Sequence, residues 1–205
     1  MPAQNLVRIY DPEVGEKQLN VGLQLTSGVA GGSLGAVSVA GVAALASAGI
    51  NPAASAADNV LAAITIPAGA FAAQPNGIEI TAYGSFANNA NAKRVRVYFN
   101  PSTANVGSTV GTGGTVIIDS GAWATAGAGI AWCIAGCVFK YGAAGSNTQV
   151  ALHQQAQIAA SISALVGPAL TTAPESGTIL IAVTGNAGSA LADITFNALT
   201  VVPLS

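Results

Sequence analysis

The sequence predicts an all-β protein, an antiparallel jelly-roll-like β-sandwich with an N-terminal extended arm. Three observations predict it. Short runs of residues alternate apolar and polar, which is the period-two signature of a half-buried strand. Segments rich in Gly, Asn, Ser and Pro separate those runs at regular spacing, and little of the chain carries a helical period. About eight such strands in residues 59–205 suit two stacked sheets joined by Greek-key connections. The arm is assigned to residues 1–27, an Ala/Gly-rich segment or linker to 28–58, and the sandwich to 59–205.

In the arm, QLNVGLQLT (18–26) places Leu19, Val21, Leu23 and Leu25 on one face and Gln18, Asn20, Gly22 and Gln24 on the other. A strand so patterned suits donation to a neighbouring chain, because an added strand gains main-chain hydrogen bonds and side-chain pockets together. The next stretch ends at NPAASAADN, where Pro52 is a breaker. Within it, AGVAALASA (40–48) holds good helix formers and predicts a short helix. NVLAAITIP (59–67) reads as a strand closed by Pro67, whose missing N–H ends ladder pairing. In IEITAYGSF (78–86), Ile78, Ile80 and Ala82 alternate with Glu79, Thr81 and Tyr83. NNANAK is a turn, since Asn tolerates the left-handed region. KRVRVYF (93–99) then sends Val95, Val97 and Phe99 to one side and Arg94, Arg96 and Tyr98 to the other. Further strands are expected at 115–120, 130–140, 148–158, 178–185 and 192–204.

Composition narrows the function. Only 7% of the 205 residues are charged, while 43 alanines and 25 glycines make up a third of the chain. A compact monomer of this mass exposes about 8,700 Å². The 14 charges then leave roughly 600 Å² each, comparable to the largest apolar patch on a typical monomer. Much of the surface is therefore expected to face other protein chains. A net charge of −2 argues against a nucleic-acid partner, which needs a basic face. Residues 28–50 carry no charge for 23 residues, long enough for a membrane span. They are mostly Gly, Ala and Ser and lack flanking cations and aromatic anchors, so a packed segment or linker is expected and no membrane partner. MPAQNLVRIYDPEVGEK has no basic region followed by an apolar core, so no signal peptide is expected.

Candidate chemistry is thin. Cys133 and Cys137 share a strand face about 13 Å apart, too far for a disulfide, and with one histidine no zinc set is expected. GGSLG (31–35) matches a nucleophile elbow around Ser33, with Asp119 and His153 following in hydrolase order. That chemistry needs a strand before the motif and a helix after it in a parallel sheet, and the surroundings read all-β. Glu79, Asp119, Glu175 and Asp193 are scattered, and GTGGT (111–115) lacks the lysine of a phosphate loop. No enzyme activity, cofactor or metal is expected.

Residues 64–71, ITIPAGAF, and 75–99, PNGIEITAYGSFANNANAKRVRVYF, together resemble a segment recurring in virion structural proteins of tailed bacteriophages. That segment has a strand ending in Ile-Pro-Ala, a short Asn-Gly loop and an Ile-Thr-Ala-x-Gly strand. An Asn-rich turn, a lysine and a Val/Tyr/Phe strand follow. The resemblance extends loosely to Trp123 and to NTQV at 147–150; the Ala/Gly tract at 28–58 departs from it. It implies a jelly-roll capsid decoration or cement protein, a homotrimer that binds the major capsid protein on the virion exterior after synthesis in the host cytoplasm. Leu19, Val21, Leu23, Leu25, Arg94 and Arg96 are then the candidate oligomer or lattice contacts. The alternative is a tail or head-fibre module binding a host receptor or glycan, with Trp123, Trp132 and Tyr141 as stacking candidates.

Overall fold

The computed structural model describes residues 7–11, 15–19, 37–39, 42–50, 55–124, 126, 130–159, 161–165, 168–187 and 193–204. Every element among them is a strand, and every ladder is antiparallel. The first four are β1 (Val7–Asp11), β2 (Gly15–Leu19), β3 (Val37–Val39) and β4 (Val42–Ile50). Then come β5 (Ser55–Ile66), β6 (Gly77–Phe86), β7 (Lys93–Phe99), β8 (Thr115–Asp119) and β9 (Ile130–Lys140). β10 (Gln149–Ile158), β11 (Ser161–Leu165), β12 (Ala169–Thr171), β13 (Ile179–Ala187) and β14 (Ile194–Leu204) complete the set.

Two sheets form the expected sandwich. The larger runs β11-β10-β9-β6-β14-β4-β3, with β12 also pairing with β10, and the smaller runs β5-β13-β7-β8. The chain changes sheet between β4 and β5, β5 and β6, β6 and β7, β8 and β9, and on both sides of β13. Each crossing places consecutive apolar runs on opposite walls of one core. Val95, Val97 and Phe99 of β7 are fully buried, as are Ile181 and Val183 of β13. They meet Ile80 and Ala82 of β6, Trp132 and Ile134 of β9, and Phe196 and Leu199 of β14 in one cluster. The outward positions of β7, Arg94, Arg96 and Tyr98, are half-buried, so the alternation read in the sequence is the alternation of the sheet.

A free edge of β5 would invite another strand. The long connection between β7 and β8 covers part of it. Val60 N donates to Ser108 O at 2.8 Å, Gly107 N to Val60 O at 2.8 Å, and Val110 N to Asp58 O at 2.9 Å. Asn100, in the left-handed region at φ 56°, turns the chain out of β7 into that connection, which Asn does at low cost.

The structure differs from the sequence reading toward the N-terminus. Residues 42–50 form β4, where a short helix was expected. Its register sets Leu45 opposite Leu199 and Ala46 opposite Ala198. Pairing along the length of β14 outweighs the modest helix preference of alanine. The tract 28–58, read as a packed segment or linker, supplies β3, β4 and the start of β5. Leu19 ends β2 opposite Val7 of β1, and the rest of the strand expected over 18–26 lies outside the described residues. Val21, Leu23 and Leu25 lie outside the described residues. Among the described residues no helix is long and apolar enough to cross a membrane.

Candidate functional site

Three polar constellations stand out on this frame, and each is assembled from residues distant in sequence. The first lies on the outer face of the smaller sheet. Arg94 and Arg96 occupy successive outward positions of β7, and Asp119 of β8 sits directly across from Arg96. Arg94 Nε donates to Asp119 Oδ1 at 2.7 Å, and Arg94 Nη2 also pairs with Asp119. Arg96 Nε donates to Asp119 Oδ2 at 3.0 Å, while Arg96 Nη1 and the Tyr98 hydroxyl both donate to Asp58 Oδ2. Burial pushes the Asp119 carboxyl up, but bonds from Arg94, the Gly121 N–H and Arg96 together hold it below the usual carboxylate range. Burial lowers Arg96, and the bonds and charges of Asp58 and Asp119 more than reverse it. Burial, helped by Asp58, raises the Tyr98 hydroxyl against the opposing Arg96 charge.

The second constellation is a buried ion pair at the end of β9. Lys140, with its side chain fully buried, pairs with Glu175, 35 residues on. Lys140 Nζ also donates to Ser146 Oγ at 2.7 Å and Thr148 Oγ1 at 3.2 Å. Gly145 N donates to the second Glu175 oxygen at 2.8 Å, and Asn147 Oδ1 accepts from Glu175 N at 3.0 Å. The Lys140 bond, then the Gly145 bond and the lysine charge, hold the Glu175 carboxyl below its ordinary range against burial.

The third constellation organises the Asn-rich turn. Asp193, just before β14, accepts from Asn89 Nδ2 at 2.6 Å and Asn91 Nδ2 at 2.9 Å. Lys93 Nζ caps the turn from within, donating to the carbonyls of Asn89 and Asn91 at 2.8 Å each. Lys93 and Asp193 are both buried. The turn is thus clamped by polar groups that are unavailable to a ligand.

These networks hold all four cations of residues 55–204, Lys93, Arg94, Arg96 and Lys140, and all of the carboxylates there except Glu79. Glu79 lies exposed on the outer face of β6. Arg94 and Arg96, candidate lattice contacts from the sequence, engage carboxylates of their own chain, with Arg94 still about one-third exposed. Of the hydrolase reading, only the Asp119 side chain lies among the described residues. Asp119 is committed to two arginines, and Ser33 and the His153 side chain lie outside the described residues. Cys133 and Cys137 are free and half-buried on the outer face of β9. Burial raises both thiols, and the Glu79 charge adds to the effect at Cys137. Among the described residues no cluster of three His, Cys, Asp or Glu could hold a metal.

Of the aromatic candidates, Trp132 is core and packs on Phe86 with ring centroids 6.2 Å apart. Trp123 is partly buried against the core, and its backbone exchanges two 2.8 Å bonds with Lys93. Tyr141 is 45% exposed, and Tyr83, which the sequence assigned only to an outer strand face, is 49% exposed. Alternation was the signal that could have singled Tyr83 out.

The acidic limb of stability follows from the two depressed carboxyls. Their unfolded counterparts titrate near 4, so the contribution is whole above about pH 5 and is lost as pH falls below 4 toward the folded values. Thermal melts from pH 7 to pH 2 should therefore show a falling Tm below about pH 4.5. Glu175→Gln should start lower at pH 7, because buried Lys140 loses its partner, and should show a shallower fall in acid. A variant with the wild-type slope would remove Glu175 from that limb.

No protein-family model matches the chain, and no curated protein matches it. Among solved structures, it is similar to the CBM2 module of the evolved Dit of Lactobacillus casei BL23 phage J-1, with a TM-score of 0.33 and 10% identity. The match covers 68% of this chain and 66% of that one, just under two thirds of the module's length. A likeness that distant carries no argument about function.

Proposed function

We propose that this chain is a structural protein of a phage virion, a capsid decoration or cement protein that binds the major capsid lattice as a symmetric oligomer. It carries out no catalysis in this reading. The observation that carries the proposal is where the charges lie. The sandwich holds its cations and all but one carboxylate in its own networks, and its exposed described residues are mostly small and uncharged, chiefly Ala, Gly, Pro, Ser, Thr and Asn. A protein surface of that kind suits large, permanent protein contacts, which are more apolar than ordinary surface. It does not suit electrostatic capture of a charged substrate, which works through unpaired charge lining a cleft. The phage assignment, the trimer and the capsid partner come from the resemblance at residues 64–99.

Immunogold labelling of intact virions from the phage encoding this chain tests the reading. Label over the whole head, removed together with the shell protein on disassembly, is the expected result. Label confined to the tail or fibres would favour the receptor- or glycan-binding alternative, for which exposed Tyr83 and Tyr141 are the stacking candidates. Virions without label would overturn both.

A further inference from the structure

The outer face of the larger sheet has no layer of described residues over it. At one end, Leu170, Val150 and Phe139 follow one another across β12, β10 and β9, and Phe139 faces Gly77 and then Leu204 beyond it. Leu170 is 69% exposed. Phe139 lies over Gly77, where a Cβ would come within 2.6 Å of its ring, so the ring is drawn flat along the sheet. Toward the other end, Cys133, Ala135 and Cys137 of β9 alternate outward beside Tyr83, Thr81 and Glu79 of β6. Glu79 is the one charged side chain of this face on β6, β9, β10 and β14.

We infer that this face is a self-association surface, on which a second copy of the chain stacks its own larger sheet. Two features select that occupant. The area is sufficient: five adjacent strands, β10, β9, β6, β14 and β4, about 4.8 Å apart and about nine residues long, give roughly 700 Å². Two such faces bury about 1,400 Å², within the range of a stable interface. The charge also fits. A nucleic acid or an anionic lipid surface needs cations, and the four of this sandwich are held in its internal networks. A near-neutral face meets its own copy without like-charge repulsion, provided the two-fold axis keeps the two Glu79 carboxylates apart. Stacked sheets sit about 10 Å apart, which brings the half-buried Cys133 and Cys137 into the covered zone.

The inference deepens the oligomer reading above by naming its surface. Three-fold contacts, if present, use other surfaces, and both together close a dihedral assembly.

The experiment uses the full chain and its two native thiols. Mass is measured by light scattering across a dilution series, and iodoacetamide labelling of Cys133 and Cys137 is followed by peptide mass spectrometry at each concentration. The expected result is an even-numbered oligomer in which both thiols react about tenfold more slowly than in diluted protein, as mass action requires. Thr81→Arg, at the centre of the face, should abolish both the pairing and the protection. Tyr83→Arg, at a more exposed position, repeats the test should Thr81→Arg fail to fold by circular dichroism. Labelling that is slow at every concentration would mean that another part of the same chain covers the face, and would overturn the inference. An oligomer whose thiols label at the diluted rate would overturn this face while leaving the oligomer reading intact. A monomer throughout would overturn both. Protection that appears only when a purified shell protein is added would assign the face to that partner instead.

Discussion

Phe99→Ala is expected to lower the stability of the folded chain by about 4 kcal/mol, the range measured for truncating fully buried aromatic side chains. Phe99 is the last residue of β7, fully buried, and lies against Ile181 of β13 on one side and Thr115 of β8 on the other. Its ring meets that of Phe71 edge to face, with centroids 5.8 Å apart and planes at 84°. Phe71 belongs to the connection after β5, so this one contact ties a loop to the smaller sheet. Truncation removes the transfer free energy of the ring, leaves a cavity, and forfeits an aromatic pair worth about 1 kcal/mol. In a chain of this size the loss should lower Tm by roughly 12 °C. Phe99→Leu keeps most of the volume and should lose less than half as much. Urea melts decide the matter: the midpoint should fall with the slope unchanged. A loss below about 1 kcal/mol would mean that the ring is not enclosed as the structure has it.

That prediction could have been drafted from sequence, because Phe99 sits in the most legible part of the chain. In KRVRVYF one side of the strand is dry and the other is wet, so the period of two survives into the composition. β9 is legible for the same reason, and its bounds coincide with the predicted 130–140. The outward placement of Arg94 and Arg96 was also legible, since each alternates with a buried residue of β7. Which acids they would meet was not. Asp119 is 23 residues from Arg96 and Asp58 is 38 away, and only the order β5-β13-β7-β8 brings them together.

β4 was misread because Ala, Val, Gly and Ser leave no wet face to alternate with, and alanine then favours the helix. Lys140 and Glu175 gave no signal at all. Lys140 ends a strand at an inward position, where a charge is normally excluded, and its partner lies in the connection after β12. The break in β10 between Leu152 and Gln155 was equally hidden. It turns Gln154 into the interior, within a Gln-Gln run that carries no turn or glycine signal.

Gly84→Ala is expected to be nearly as damaging as Phe99→Ala, although it adds a single methyl group at a buried position of β6. A Cβ at Gly84 would lie 1.9 Å from the carbonyl oxygen of Thr195 and 2.5 Å from the Trp132 ring. The irregularity in β14 between Phe196 and Ala198 accompanies that carbonyl's approach to β6, and Trp132 is the direct β9 partner of Gly84. Overpacking a core usually costs about 1–3 kcal/mol, because side chains give way. Here one obstacle is backbone in the neighbouring strand, so the upper end, about 3 kcal/mol, is expected. Gly136→Ala is the matched control. Its Cβ would first meet the tip of Ile118 at 3.0 Å, which can rotate, so its loss should be well under half as large. If the two variants melt together, the close approach of Thr195 to β6 is wrong. If Gly84→Ala is the weaker by several degrees, β6 and β14 have been pushed apart at the middle of the larger sheet. The outer face there depends on the same two strands lying flat, so Gly84→Ala should also speed the labelling of Cys133 if that face is where two copies meet.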